Sequence, residues 1–314
     1  MNPKLHPEIQ AIFAAMPPGP SITTIDVDVF RRNVNAATAA APRYDVPIAS
    51  VQDRTIALPG RDIGTRIYTP VGEGPFPVIT YYHGGGFVIG DLNIADPICR
   101  ALCSGVSDLL VSIDYRLAPE HPFPAGNDDA WDALCWVVDH AVELGGDPAR
   151  VAVAGDSAGA NLSASMSLRA RAAGLPLRAQ ALMYPAPAYP DLSLPSFVEF
   201  ADGPLVSRDD AIFYWGQYLA DPADRTNPDA AACHAASHAG LPPAFVAVGE
   251  CDPTRDTGEI YAGQLRAAGV PTVARRYAGM PHGFYAFVPY SPAVKAAMAE
   301  LCDWLRDHLK SETI

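Results

Sequence analysis

The residues in this chain whose types and spacing could do chemistry begin with a serine between glycines. The segment Val151-Ala-Val-Ala-Gly155-Asp156-Ser157-Ala158-Gly159-Ala160-Asn161 reads as a β-branched strand, a G-x-S-x-G pentapeptide and a run compatible with a helix. A serine at a sharp strand-to-helix turn takes a strained backbone conformation, and its hydroxyl then stands above the sheet edge. Gly155 and Gly159 lack Cβ atoms, so neighbouring backbones can close around the turn. The helix N-terminus adds a positive partial charge beside the hydroxyl. A lone G-x-S-x-G also fits an ordinary βα turn; the strand before it and the helical run after it favour a nucleophile.

A serine hydroxyl is a weak nucleophile at neutral pH and needs a base and a place for negative charge. Val78-Ile-Thr-Tyr-Tyr82 leads into His83-Gly84-Gly85-Gly86. Backbone N–H groups of such a loop, with that of Ala158, can surround a tetrahedral oxyanion. A phosphate-binding loop fits less well, because no G-x-x-x-x-G-K-[ST] occurs and Gly84, Gly86 and Gly90 do not make G-x-G-x-x-G. His83 is read as organising the loop and not as a base.

Base and acid candidates come later in the chain. Asp252 follows a strand expected at Phe245–Val248, and His282 follows the next strand. Both would lie on the sheet edge that carries Ser157, where open α/β sheets bind ligands. The order Ser157, Asp252, His282 is that of α/β-hydrolases. His282 would take the Ser157 proton, and Asp252 would hold its tautomer. Glu250 and Asp256 are rivals for the acid. Asp252 is favoured by its place between the strand end and Pro253, and Asp256 is expected to begin a helix. His6, His121, His140, His234, His238 and His308 lack a comparable placement.

Alternating elements must position these groups. Strands are expected at Arg66–Thr69, Val78–Tyr82, Leu109–Asp114, Val151–Ala154, Ala179–Tyr184, Phe245–Val248 and Thr272–Tyr277. Several are unbroken apolar runs, as suits strands buried on both faces of a parallel sheet. Helices are expected at Asn127–Leu144, with Asn127 and Asp128 as cap and first-turn acid, at Thr257–Ala268, and at Pro292–Leu309. The last places Val294, Met298, Leu301 and Leu305 on one face. Two regions break the rhythm. Residues 1–50 read as short helices interrupted by prolines, and residues 186–240 are rich in proline and aromatics, with a helix at Asp209–Leu219 capped by Ser207. They are expected to form a cap over a core of residues 51–185 and 241–314, a surface elaboration being the alternative. Phe197, Phe200, Phe213, Tyr214, Trp215 and Tyr218 suggest an apolar pocket, though at helical spacing core packing is the commoner role; Ile212, Trp215 and Leu219 are expected to face inward.

The 314 residues are 49% hydrophobic and 18% charged, too apolar for disorder. The net charge of −13 argues against nucleic acid and anionic membrane surfaces as partners. Met1 to Pro20, with Pro17, Pro18 and Pro20, does not resemble a signal peptide, and no run is long enough for stable membrane insertion. Cys99, Cys103, Cys135, Cys233, Cys251 and Cys302 make no C-x-x-C pair, so neither zinc nor redox chemistry is indicated, and free thiols in the cytoplasm are expected.

His83-Gly-Gly-Gly, Asp114-Tyr-Arg-Leu-Ala-Pro-Glu120, Gly155-Asp-Ser-Ala-Gly159, Asp252-Pro-Thr-Arg-Asp256 and His282-Gly-Phe284 together resemble the hormone-sensitive-lipase family, and most closely its bacterial family IV carboxylesterases. The resemblance runs from about residue 60 to the C-terminus. It implies an α/β-hydrolase fold: a mostly parallel central sheet flanked by helices, with a helical cap. It implies hydrolysis of short-chain acyl esters, a small-molecule substrate, with no cofactor or metal. Position by position it implies Ser157 as nucleophile, Asp252 as acid, His282 as base, and Gly85, Gly86 and Ala158 as oxyanion donors. Thr254 and Thr257 depart from the family's leucine and glutamate, which touches local packing or substrate preference more than catalysis. Tyr115-Arg116-Leu117 is read as structural. An amidase or peptidase on the same scaffold is the nearest alternative. A ligand receptor, like the gibberellin receptors that lack the histidine, is a distant one. A preference for short or medium acyl chains is expected, and a homodimer is left open.

Overall fold

In the computed structural model, residues 4–16 and 19–310 are described; Pro17 and Pro18 lie outside them. The strands are β1 (Ser50–Leu58), β2 (Arg61–Thr69), β3 (Phe76–Tyr82), β4 (Leu109–Asp114), β5 (Gly146–Asp156), β6 (Ala179–Met183), β7 (Ala244–Cys251) and β8 (Thr272–Pro281). They form one sheet in the order β1-β2-β4-β3-β5-β6-β7-β8. β2 runs antiparallel to both β1 and β4, and every pairing from β4 through β8 is parallel. The helices are α1 (Pro7–Ala15), α2 (Val27–Ala40), α3 (Leu92–Leu102), α4 (Ala125–His140), α5 (Ala158–Ala173), α6 (Pro195–Glu199), α7 (Arg208–Tyr218), α8 (Arg255–Ala267) and α9 (Pro292–Leu309).

The apolar runs explain the layering. Tyr81, Ile79, Leu110, Ala152 and Ala154 face a cluster that includes Ile98 of α3 and Leu301 and Leu305 of α9. Their neighbours Val78, Tyr82, Val111, Val151 and Val153 face Leu134 of α4 and Leu162 of α5. The last strands pack on α8 through Tyr261 and Leu265. Alternation across buried strands therefore fills two helical layers, which is why the strands read as continuous apolar segments. Val294, Met298, Leu301 and Leu305 are all buried, as the α9 stripe requires.

Three local expectations need correction. β1 is not among the expected strands; it is a mostly exposed edge strand turning at Gly60, whose buried apolar positions, Ile56 and Leu58, are confined to its last residues. Asn127 is not a helix cap. α4 starts two residues earlier, after Pro124, and ends at His140. Asn127 is buried within it, donating to Ser165 Oγ and the Asp229 carbonyl and accepting from the Tyr218 hydroxyl. Ile212 is only half-buried, whereas Trp215 and Leu219 are buried as expected.

The two segments outside the rhythm meet above the loop that follows β3. Ser207 caps α7 in a reciprocal capping box with Asp210. Trp215 and Tyr218 join the core cluster under α7. α2 has no buried residue. It is held by Arg31, which donates to the carbonyls of Val88 and Ala118 and bridges to Glu120. Ser21 donates to Asp210 across the two segments at 2.7 Å.

Candidate active site

β5 ends at Asp156 and α5 begins at Ala158, so Ser157 is the whole turn between them. Its φ is 54° and its ψ −117°, outside the comfortable regions for a side-chain-bearing residue. Its amide is fixed by the Met183 carbonyl at 2.9 Å. Gly159 has to be glycine: a Cβ there would fall on the Tyr82 carbonyl, well inside contact.

His282 stands immediately past β8, and Asp252 immediately past β7. His282 Nε2 lies 2.7 Å from Ser157 Oγ, and Nδ1 lies 2.8 Å from Asp252 Oδ2. Because the carboxylate can only accept, it holds the proton on Nδ1 and leaves Nε2 free to accept from the serine. Asp252 Oδ1 is bound by the Thr254 amide at 2.7 Å and the Thr254 hydroxyl at 2.8 Å. Thr254 Oγ1 also lies 3.2 Å from His282 Nδ1. Burial alone would lower the imidazole's pKa; the Asp252 charge and hydrogen bond, with the charge of Asp156, outweigh it and raise it above the usual histidine value. The rival carboxylates are used elsewhere. Glu250 accepts from the Gly279 amide, and Asp256 from the Ser196 amide and Arg255.

The loop after β3 faces the same serine. His83 Nδ1 donates to the Gly84 carbonyl at 2.7 Å, and its ring stacks on Tyr115 at 4.4 Å. Tyr115 in turn donates to the His83 carbonyl, and Arg116 pairs with Asp129. The Gly84 amide donates to Asp156 Oδ1 at 2.7 Å. The Gly85 carbonyl accepts from both Val88 and Ile89. Gly85 and Gly86 have φ of 123° and 61°. A Cβ at Gly86 would run into the ring of Tyr214 on α7, and one at Gly85 into the Ile89 carbonyl. Among the described residues the amides of Gly85 and Gly86 donate to no acceptor. The Ala158 amide, first in α5, has no intrahelical partner. The structure thus brings together Ser157, His282 and Asp252 by direct contact, with unengaged amides on the loop beside them. Such an arrangement can deprotonate a hydroxyl and receive developing negative charge.

Three contacts at the site are not announced by the sequence, although Tyr214 is itself among the pocket candidates. Thr254, expected to bear on local packing or substrate preference, instead binds the Asp252 carboxylate; a hydroxyl two residues past the acid candidate is the signal that points to it. Asp156 sits at the variable position of the pentapeptide, and nothing in its type announces a bond to Gly84. Tyr214 reaches Gly86 only through the tertiary path of α7.

Comparison with known proteins agrees with this fold. A family model described as the alpha/beta hydrolase fold matches residues 79–286. Carboxylesterase NlhH of Mycobacterium tuberculosis is 48% identical over 258 residues, covering 80% of this chain and 81% of that protein. An arylesterase of Saccharolobus solfataricus is 36% identical over 255 residues, covering 81% and 83%. The crystal structure of a thermostable esterase from Pseudomonas putida superposes with a TM-score of 0.94 at 34% identity, covering 99% of this chain and all of that one. On these matches the chain belongs to the α/β-hydrolase fold family, in the branch that holds hormone-sensitive lipase and the bacterial family IV carboxylesterases.

Proposed function

We propose that the protein is a carboxylic ester hydrolase working through an acyl-enzyme on Ser157. The observation that carries this is the unbroken contact from Asp252 through His282 to Ser157, at 2.8 and 2.7 Å. Ser157 Oγ attacks the ester carbonyl while His282 Nε2 takes its proton. The amides of Gly85, Gly86 and Ala158 receive the oxyanion. Collapse expels the alcohol, which leaves with the proton from His282, and the acyl group stays on Ser157. A water then gives a proton to His282 and attacks the acyl carbon; the acid leaves and Ser157 recovers its proton.

Relatives named as esterases support an ester over an amide substrate, since the same three groups could serve either. Residues 1–50 and 186–240 act as a cap in this reading, supported by the Tyr214 ring lying on Gly86. The preference for short to medium acyl chains comes from the family resemblance. Among the described residues no helix is long and apolar enough to cross a membrane. All six cysteines are free thiols, which supports a reducing, cytoplasmic setting.

Hydrolysis of p-nitrophenyl acetate, butyrate and octanoate, measured beside the matching anilides, tests the reading. Ester turnover is expected to exceed anilide turnover, to favour butyrate over octanoate, and to drop by about 10³-fold or more in Ser157→Ala. Faster anilide cleavage, or ester turnover that survives Ser157→Ala, refutes it.

A further inference from the structure

The two halves of the site are built differently: side chains hold the proton path, and backbone amides make the anion site. One residue touches the loop of the second half through its side chain and is the chain neighbour of the serine of the first. Asp156 is the last residue of β5, adjacent to Ser157. Its Oδ1 accepts from the Gly84 amide and from the Tyr81 hydroxyl, both at 2.7 Å. The joint is tight on the loop side, because a Cβ on Gly84 would strike Asp156 Oδ2. Among the described residues Asp156 takes part in no ion pair with lysine or arginine.

We propose that Asp156 is a positioning residue that couples the two halves, pinning the Gly84–Gly86 loop against the strand end that carries Ser157 while adding a second negative charge to the surroundings of His282. This rests on the ester-hydrolase reading above. Gly85 and Gly86 occupy positive φ, and nothing in their own chemistry fixes where their amides point. Orientation comes from three ties at the loop's base: His83 to the Gly84 carbonyl, the Val88 and Ile89 amides to the Gly85 carbonyl, and Asp156 to the Gly84 amide. Of these, the Asp156 tie alone starts from the strand that carries Ser157. It therefore sets the loop against the nucleophile, which is the distance that matters for an anion forming between them.

The charge has its own consequence. The ionisable groups facing Asp156 are Tyr81 on β3, His83 on the following loop, Cys99 on α3, Tyr115 after β4, Tyr184 after β6 and His282 after β8. Burial raises the Asp156 carboxyl, and the Tyr81 and Gly84 bonds work against that rise. While ionised, it favours the protonated form of His282, in the same direction as Asp252.

Two variants separate the roles. Asp156→Asn keeps an acceptor for Gly84 but removes the charge. Gly84→Ala keeps the charge but forces the joint open. Each is compared with wild type on p-nitrophenyl butyrate across pH, with melting temperature as the check on folding. Asp156→Asn is expected to lower kcat by about tenfold with little change in KM, and to move the acid limb of kcat/KM to lower pH. Gly84→Ala is expected to lower kcat by about 10²-fold, by the cost of a lost oxyanion donor, with the acid limb unmoved. A folded Asp156→Asn with kcat within twofold of wild type, or with an unmoved acid limb, overturns the proposal. If that variant does not fold, a folded Gly84→Ala with undiminished kcat overturns it. Ser157→Ala in the same series reports on the underlying reading: activity surviving there refutes the esterase assignment whatever Asp156 does.

Discussion

The two edges of the sheet are built to different standards. Beyond the C-terminal ends of β3, β5 and β6 stand Phe87, Ser157, Tyr184 and Leu205, with φ of 65°, 54°, 39° and 71°. At the opposite edge, among the described residues, only Ser107 is a non-glycine in that region. Some positive-φ glycines differ in the same way. Gly85 and Gly86 are pressed against the Ile89 carbonyl and the Tyr214 ring, so any side chain collides. Gly145, Gly174 and Gly269, which lead into β5, β6 and β8, have positive φ but open space around them. Strain of this kind costs on the order of 1–3 kcal/mol per residue and persists where the surroundings enforce it. One edge spends conformational comfort on geometry, and the other merely turns the chain.

The largest effect that would sharpen this contrast belongs to Gly86→Ala. The new Cβ meets the Tyr214 ring at a φ of 61°, so the loop must shift. Kcat is expected to fall by about 10²–10³-fold, as for a lost oxyanion donor. Steady-state kinetics on p-nitrophenyl butyrate, with circular dichroism to verify folding, measures it; wild-type kcat in a folded variant would break the contrast.

Thr254→Val tests the other half of the same edge. It removes the hydroxyl bond to Asp252 but keeps the Thr254 amide bond at 2.7 Å. A charge-assisted hydrogen bond is worth about 1.5–3 kcal/mol, so kcat should fall by about tenfold and Thr254→Ser should restore most of it. Equal losses in valine and serine variants would mean that shape, and not the hydroxyl, matters at this position.

Much of this edge was legible beforehand, for a physical reason. A nucleophile turn and an amide loop demand glycine at close-packed points, and a strand end fixes where an acid and a base can stand. Those demands act over a few residues, so they show as short motifs around Ser157, Gly85, Asp252 and His282. What stayed hidden depends on contacts distant in sequence. Asn127 looked like a cap because local chemistry allows it, but Tyr218 and the Asp229 carbonyl, from the far side of an insertion, take its side chain into the interior. β1 stayed hidden because a mostly exposed edge strand shows only a short apolar alternation, at Ile56 and Leu58. Tyr214 could not be matched to Gly86 without knowing how α7 lies.

At the opposite edge the expected effects are on stability and depend on pH. Asp108, just before β4, is 3% exposed, and its Oδ2 has no hydrogen-bond partner among the described residues. Burial pushes its carboxyl up to about 7, more than Arg150 and Arg306 pull it down. Unfolded, it would titrate at about 3.9. Between those values the unfolded chain holds fewer protons than the folded one, so stability falls as pH rises from about 4 to about 7 and stays reduced above. Asp108→Asn is therefore expected to stabilise the fold at pH 8 by on the order of 1–3 kcal/mol, seen as a higher melting temperature, with little gain at pH 4. A lower melting temperature at pH 8 would mean that the charge is stabilising.

The smallest effect is the most direct control. Gly145→Ala sits in the turn before β5 at a φ of 82°, with no atom within 4 Å of the new methyl. Alanine must adopt the left-handed region there, which costs about 1–2 kcal/mol. The bonds of the turn, from the Gly145 amide to the Val142 carbonyl and from the Phe76 amide to the Gly145 carbonyl, survive the change. The melting temperature should drop by a few degrees at most, and kcat and KM should stay at wild-type values because the perturbation lies at the far end of the strand from Ser157. Gly86→Ala is predicted to do the reverse, sparing the fold and removing the rate. If Gly145→Ala instead cut kcat as deeply, the positive-φ glycines of the two edges would be equivalent, and the crowding around the loop after β3 would not be what sets them apart.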